Sequence, residues 1–164
     1  MIILGIDPGT ATTGFGIIKK TGQEIRVIDY GCIETCSDLK AGKRLKIINN
    51  ELDGLIKKYS PEVLAVESIY FFKNLKTAMP VSQAKGVILL TAEQNNLPVF
   101  EFTPLQVKMA ITGYGKAEKK QVQKMIRAML NLEEKPKEKD KRKDDAADAL
   151  GVALCCSRLP RITN

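Results

Sequence analysis

Two short apolar runs in the chain each end in a single acid. The first runs from Met1 to Asp7 and the second from Val63 to Glu67. Runs without a polar break are typical of central strands that are covered on both faces. Pro8 and Gly9 end the first run, because proline has no N–H for a sheet ladder and glycine permits a turn. The pattern predicts that Asp7 and Glu67 each stand at the end of a buried strand.

The segments around these runs predict an α/β fold. Short turns join the first strand to strands over Gly14–Lys20 and Glu24–Glu34, which favours an antiparallel meander. A helix over Ala41–Tyr59 separates the two apolar runs, and a helical crossover between strands implies parallel pairing. Asp7 and Glu67 would then end at the same edge of the sheet. Facing carboxylates repel each other unless a proton or a cation lies between them.

The second half of the chain continues the alternation of helices and strands. The predicted elements are a helix over Leu75–Asn96 in which Pro80 causes a kink or begins a second helix, a strand over Leu97–Phe102, a helix that begins at Thr103-Pro104, and an amphipathic helix over Glu118–Leu130. The segment Glu133–Lys143 is nearly all charged and is predicted to be a mobile surface loop.

The last predicted helix begins with acids at 144, 145 and 148 and is apolar nearly all round from Ala146 onward. Capping and the helix dipole explain Asp144 or Asp145 well. They explain Asp148 poorly, because that residue lies a full turn inside a buried helix. Spacings of three and four residues place either earlier acid on the face of Asp148. We therefore expect Asp148 and one of the other two to have a function.

The composition of the chain limits the kinds of partner and of catalysis that can be expected. The chain has 164 residues and is expected to form one domain over 1–164. Its 26 Lys and Arg against 19 Asp and Glu give a net charge of +7, which favours a polyanionic partner. The absence of histidine excludes histidine-based catalysis and histidine-containing zinc motifs. No signal peptide and no run of the roughly 20 apolar residues that span a bilayer is recognised, so we expect a cytoplasmic protein without membrane contact.

The candidate site contains Asp7, Glu67, Asp148 and either Asp144 or Asp145. Ligands that are all oxygen select a hard cation, Mg²⁺ or Mn²⁺, and four carboxylates can hold two such ions. The chemistry expected of such a site is hydrolysis of a phosphodiester by in-line displacement. Three lysines are candidates for neutralising phosphate charge, namely Lys108, Lys116 and Lys119.

Two further features are consistent with nucleic acid but have ordinary alternatives. Lys119, Lys120 and Lys124 lie on the polar face of the amphipathic helix, where they suit a row of phosphates or simply a solvated surface. Tyr70 begins an aromatic triplet just after Glu67. One of these rings could stack on an unpaired base, or the triplet could pack on the core.

Over essentially its whole length the sequence resembles the RuvC-type crossover junction endodeoxyribonucleases, the Holliday junction resolvases of bacteria. The resemblance is carried by Gly5-Ile6-Asp7-Pro8-Gly9, by Val66-Glu67 followed by Tyr70 and Lys73-Asn74, by Gln106-Val107-Lys108, by Ala117-Glu118-Lys119, and by Asp145-Ala146-Ala147-Asp148-Ala149-Leu150. Each motif is short, but the set is specific in this order and spacing.

The resemblance implies a ribonuclease-H-like fold, with a five-stranded mixed sheet flanked by α-helices. It implies a homodimer that binds a four-way DNA junction and nicks two strands of like polarity symmetrically, leaving nicked duplexes that a ligase can seal. It also suggests a branch-migration complex of RuvA and RuvB as a partner in recombination and repair.

The resemblance also assigns roles to residues. The metal-binding and catalytic acids match Asp7, Glu67, Asp145 and Asp148, so it selects Asp145 over Asp144. Some family members have histidine at this position. In this chain Asp145 would act as a metal ligand and not as a general base. Tyr70 stands where the family has a base-stacking phenylalanine. Lys108 and Lys119 match basic residues implicated in catalysis or DNA binding.

Two other classes remain as alternatives. An actin-like or sugar-kinase-like phosphotransferase shares the core topology, but it needs two such domains and a second glycine-rich phosphate motif. A non-catalytic, structure-selective DNA-binding module would need no complete acidic site, so the presence of all four acids argues against it.

Overall fold

The computed structural model of the chain describes residues 1–68, 75–132 and 141–159, which form five strands and five helices. In chain order these are β1 (Ile2–Asp7), β2 (Thr12–Thr21), β3 (Glu24–Glu34), α1 (Ala41–Tyr59), β4 (Val63–Glu67), α2 (Leu75–Gln94), β5 (Val99–Phe102), α3 (Pro104–Thr112), α4 (Lys119–Met129) and α5 (Lys141–Ser157).

The strands form one mixed sheet in the order β3-β2-β1-β4-β5. β1 pairs antiparallel with β2, and β2 pairs antiparallel with β3. β4 lies parallel to β1 with Val66 opposite Ile6, and β5 lies parallel to β4. The predicted meander, the parallel crossover and the central position of β1 are therefore confirmed. So is the expected fold of a five-stranded mixed sheet flanked by helices.

Side chains of β1 alternate between the two faces of the sheet, as they must in an extended strand. Ile3 packs with helices α3, α4 and α5 on one face, whereas Leu4 and Ile6 pack with α1 and α2 on the other. By this alternation Gly5 and Asp7 lie on the side of Ile3. Asp7 therefore points to the face that α5 covers, which we call the α5 face.

Strand β4 repeats the alternation beside β1. Val63 and Ala65 belong to the core on the α5 face, and Leu64 and Val66 belong to the opposite core. Glu67 is the next residue on the side of Ala65 and so lies on the α5 face. Parallel pairing in this register brings the ends of β1 and β4 side by side. The two strand-end acids thus share an edge and a face.

Helix α5 lies very close to the sheet because three glycines leave room for its backbone. A Cβ atom at Gly5 would come closer than 3.0 Å to the carbonyl oxygen of Ala149, and one at Gly14 would do the same with the carbonyl oxygen of Asp145. At Gly16 an added Cβ would meet the Leu150 side chain at 2.8 Å. Gly5 and Gly16 are also register partners in β1 and β2. These glycines set the position of α5 and of the acids it carries.

Several predicted element bounds differ from the structure. Strand β2 begins at Thr12 and not at Gly14, and α2 ends at Gln94 and not at Asn96. Helix α5 begins at Lys141, so the last three residues of the predicted loop Glu133–Lys143 are helical. Lys and Arg are good helix formers, and Asp144 in the first turn favours the helix dipole, so a charged segment can extend the helix. Residues 133–140 of that loop lie outside the described residues.

Strand β5 begins at Val99 and not at Leu97. Pro98 lacks the N–H that a strand residue donates, although its carbonyl oxygen accepts from the Leu64 N–H. Pro80 lies inside α2, which is a single helix over Leu75–Gln94. None of the helices that the structure describes combines the length and the apolar character that a bilayer crossing requires.

The glycine contacts give a stability prediction. Gly5→Ala is expected to destabilise the protein by about 1–3 kcal/mol, because α5 must move away from the sheet to accommodate the new methyl group. Gly54→Ala is the matched control: Gly54 is exposed in α1, and an added Cβ meets nothing within 4 Å. It is expected to stabilise by about 0.5–1 kcal/mol through helix propensity. Urea unfolding of both variants tests this, and equal stabilities would contradict the close approach of α5.

Candidate metal centre

Three carboxylates meet where the C-terminal end of β1 lies under α5. Asp7, Asp145 and Asp148 each place one carboxylate oxygen so that all three oxygens lie within 4.8 Å of one another. The local sequence explains the meeting. Asp7 pairs in register with Gly14, and Gly14 admits the backbone of Asp145 because it has no side chain. The sheet therefore brings β1 and α5 together at the acids themselves.

Spacing along α5 selects which of its acids enter this cluster. Asp145 and Asp148 are three residues apart and share a face of the helix. Asp144 belongs to the first turn of α5 and is not one of the three clustered carboxylates. The structure therefore brings Asp145 to Asp7, as the family resemblance implied, whereas spacing alone left Asp144 and Asp145 equivalent.

Glu67 lies beside the cluster but is not one of its three members. It borders a cleft of about 290 Å³ together with Asp148, Lys108 and Lys119. The remaining lining residues are Pro104 and Val107 of α3 and Val122 and Ile126 of α4. The cleft thus lies between the acids of β4 and α5 on one side and helices α3 and α4 on the other, and each of these helices contributes one lysine. Its walls hold both signs of charge.

Burial and repulsion by neighbouring carboxylates disfavour the ionised forms of Asp7 and Glu67 in the metal-free protein. Burial raises the pKa of Asp7 well above its usual value, and the charges of Glu67, Asp148 and Asp145 raise it further. Burial also raises the pKa of Glu67 to about 7, with a further contribution from Asp148. Lys119 and Lys108 lower the Glu67 pKa but do not offset these effects. The positive charges of the nearby lysines are therefore too weak to keep the pKa values of Asp7 and Glu67 in their usual range.

Helix α4 supplies two partners of Asp148. Lys119 Nζ lies 2.6 Å from Asp148 Oδ2, and Gln123 Nε2 donates to Asp148 Oδ1 at 3.2 Å. Burial lowers the pKa of Lys119, but its hydrogen bond and ion pair with Asp148 outweigh burial and raise it overall. The sequence placed Lys119 and Gln123 on the polar face of this helix and assigned that face to phosphates, and it did not predict the contact of either residue with Asp148. The spacing of four residues between them, on one helix face, was the available signal.

The other predicted DNA-binding residues are placed differently. Lys108 lies on α3 and borders the cleft. Helix α3 begins with a capping box, in which Gln106 N–H donates to Thr103 Oγ1 at 3.1 Å and Thr103 N–H donates to Gln106 Oε1 at 2.8 Å. Lys116 is exposed between α3 and α4. Lys120 and Lys124 are exposed on α4 and do not line the cleft. Tyr70 lies outside the described residues.

The donor set fits a hard divalent cation. The cluster offers only carboxylate oxygens, which Mg²⁺ and Mn²⁺ prefer to softer ligands. Like-charged carboxylates this close are stabilised by a cation between them, and the raised pKa of Asp7 reflects their repulsion as well as burial. The cluster of Asp7, Asp145 and Asp148 can therefore hold a metal ion.

The mixed sheet and the acids at its central strand define an α/β protein of the ribonuclease-H-like class. A family model described as "Crossover junction endodeoxyribonuclease RuvC" matches residues 3–156. The chain therefore belongs to the RuvC family of crossover junction endodeoxyribonucleases.

Individual relatives agree with this assignment. The chain is 54% identical over 156 residues to the crossover junction endodeoxyribonuclease RuvC of Caldicellulosiruptor saccharolyticus and 52% identical over 155 residues to that of Halothermothrix orenii. Each alignment covers 94% of this chain and 91% of the relative. Among solved structures, Thermus thermophilus RuvC in complex with a Holliday junction substrate is similar, with a TM-score of 0.85 and 32% identity. That match covers 96% of this chain and 93% of the other.

The raised pKa of Glu67 gives a pH prediction for the metal-free protein. Glu67 ionises near its ordinary pKa of 4.5 when unfolded but only near 7 when folded, so stability is present below 4.5 and is lost as the pH rises through 7. Asp7 shifts in the same direction and adds to the loss. We expect the melting temperature measured in EDTA to fall across this window.

The Glu67→Gln variant should show a smaller fall over the same pH range, because its side chain does not titrate. Addition of Mg²⁺ should also reduce the fall in the unmodified protein, since a bound cation favours the ionised acids. A melting temperature in EDTA that rises between pH 4.5 and 7 would contradict the electrostatic description of the cluster.

Proposed function

We propose that this protein is a crossover junction endodeoxyribonuclease that resolves Holliday junctions in homologous recombination and DNA repair. It hydrolyses one phosphodiester in each of two strands of like polarity and leaves nicked duplexes that a ligase can seal. The observation that carries the proposal is the cluster of Asp7, Asp145 and Asp148 in a chain of the RuvC family. The Thermus relative in complex with a Holliday junction substrate supports the choice of DNA structure.

In this proposal the acids of β1, β4 and α5 form the metal-binding and catalytic site. Asp7, Asp145 and Asp148 supply clustered oxygens, and Glu67 supplies a further carboxylate from the adjacent strand end. Four carboxylates suit two Mg²⁺ ions per subunit, for which Mn²⁺ can substitute. The chemistry that such ions would supply when bound is activation of a water molecule and stabilisation of the leaving 3′ oxygen. The rigid ends of β1 and β4 hold their two acids in place for this chemistry.

The lysines bind and orient the DNA backbone. Lys108 and Lys119 border the cleft beside Glu67 and Asp148, where a phosphate next to the acids would meet their positive charges. Three further lysines close to Lys119 in the sequence are exposed, namely Lys116, Lys120 and Lys124. They extend the positive surface toward flanking phosphates. Tyr70 is proposed to stack on an unpaired base at the junction.

Symmetric cleavage requires two sites, and the described part of one chain contains one such acidic cluster. A homodimer with two-fold symmetry would present two clusters to the two equivalent strands of a junction. We further propose that the dimer works in the cytoplasm with a branch-migration complex of RuvA and RuvB, which would supply junctions for cleavage.

Asp7→Asn tests the catalytic site. The variant is expected to abolish cleavage of a synthetic four-way junction but to keep or tighten binding, because it removes negative charge near the phosphates. Cleavage is measured on the junction and on a linear duplex of the same sequence, each with Mg²⁺ and with EDTA. Asp38→Asn, an exposed acid before α1, is the matched control and should cut like the unmodified protein.

Paired nicks in the junction alone, lost in EDTA, would support the proposal. Wild-type cleavage rates in Asp7→Asn would remove Asp7 from the site. Tight junction binding by the unmodified protein without any cutting would instead indicate a DNA-binding module.

The lysines of α4 give a salt-dependence prediction. Replacing Lys120 or Lys124 by alanine should weaken junction binding, and it should reduce the slope of log K against log salt concentration by about 1 for each phosphate that the variant no longer neutralises. Lys46→Ala is the control, because α1 lies on the opposite face of the sheet from α4. A slope that changes equally in all three variants would mean that net charge, and not binding to a particular phosphate, is responsible.

A further inference from the structure

We propose that Gln123 is a positioning residue for the metal centre, and that it keeps hold of Asp148 while Lys119 gives way to the cation. The inference rests on the proposed function in one respect, since it takes Asp148 to be a metal ligand. It adds a residue and a sequence of events that the acidic cluster alone does not imply. Two contacts of Asp148 with helix α4 carry it.

The two partners of Asp148 divide its oxygens between them. The Gln123 amide donates to Oδ1 at 3.2 Å, and the Lys119 ammonium lies 2.6 Å from Oδ2. An amide is neutral, so it can remain on one oxygen while the other oxygen binds a cation. An ammonium carries the same sign of charge as the metal and competes with it for the carboxylate. The geometry therefore makes Gln123 the compatible partner and Lys119 the competing one.

Exposure of the two side chains agrees with this division. The Lys119 side chain is 58% exposed, so it can leave Asp148 and extend into the solvent or toward a phosphate. Gln123 is half-buried, and it stands on α4 next to the buried Val122. The exposed contact of Lys119 and the half-buried contact of Gln123 are thus one helical turn apart on the same face of α4.

Helix α4 is held firmly against α5 close to Asp148. Ile126 is fully buried and its side chain occupies the space beside Gly151, where an added Cβ would meet Ile126 Cδ1 at 2.8 Å. Gly151 lies one turn beyond Asp148 on α5. This packing fixes the distance from the Gln123 backbone to Asp148, so the amide can restrict the rotation of the carboxylate. Hydrogen bonds of this kind orient metal-binding carboxylates and raise metal affinity about 10–100-fold.

The test measures Mn²⁺ binding to the DNA-free protein by titration, following free Mn²⁺ by its electron paramagnetic resonance signal. Gln123→Met keeps the length of the side chain but removes the donor, and it should raise the Mn²⁺ dissociation constant by about 10–100-fold. Lys119→Met removes the competitor and should lower the same constant. Lys46→Met, at an exposed lysine of α1 on the opposite face of the sheet, controls for the change in net charge and should bind Mn²⁺ like the unmodified protein.

A second readout separates positioning from folding. In junction cleavage, Gln123→Met should need about 10–100-fold more Mg²⁺ for half-maximal rate and should approach the unmodified rate when Mg²⁺ is saturating. A purely structural defect would lower the maximal rate instead. Gln123→Ala, which leaves room for a water molecule to replace the amide, should lose less affinity than Gln123→Met and provides a second folded variant.

Opposite shifts in Gln123→Met and Lys119→Met would support the inference. Unchanged Mn²⁺ affinity in both Gln123 variants would overturn it and leave the proposed nuclease site intact. A loss of affinity in Lys119→Met as large as that in Gln123→Met would overturn the exchange of lysine for metal. Failure of the unmodified protein to bind Mn²⁺ would overturn the metal centre itself, and the inference with it.

Discussion

The close approach of helix α5 to the central strands is the constraint on which the rest of the structure depends. Gly5, Gly14 and Gly16 remove side chains where the backbone or side chains of α5 contact β1 and β2. This contact places Asp145 above Gly14, whose register partner is Asp7. A larger residue at any of these positions would separate the helix from the sheet and would move two acids away from the third. The packing of α5 on the sheet therefore also brings the three acids together.

The acidic cluster shows how a stable scaffold can hold an unfavourable group of charges. Burial and repulsion disfavour the ionised forms of Asp7 and Glu67, so the metal-free site opposes folding above neutral pH. The apolar layers on the two faces of the sheet supply the stability that tolerates this cost. Lys119 neutralises part of the charge through its contact with Asp148. A protein of this kind gives up stability at the place where it needs to bind a cation.

Much of the fold was predictable from the sequence because its strongest signals are local. The apolar runs before Asp7 and Glu67 identify two buried strands, and the helix between them requires a parallel crossover, so their shared edge follows from topology. The start of α5 was not predictable in the same way, since a run of charged residues is typical of surface loops and can also extend a helix. The contact of Gln123 with Asp148 depends on how α4 packs on α5, which no local pattern records. Spacing along the helix could not decide whether Asp144 or Asp145 joins Asp7 and Asp148. The family resemblance selected Asp145, and the structure agrees.

The acids of the cluster come from opposite ends of the described chain. Asp7 lies on β1, the first described strand, whereas Asp145 and Asp148 lie on α5, which follows all the other described strands and helices. Contacts between such distant segments cannot form until the intervening chain has been synthesised, and closing so long a loop has an entropic cost. A partly synthesised chain can therefore contain a formed sheet and yet lack the clustered acids. During synthesis the cluster is completed only when α5, the last described helix, has been made and has docked on the sheet.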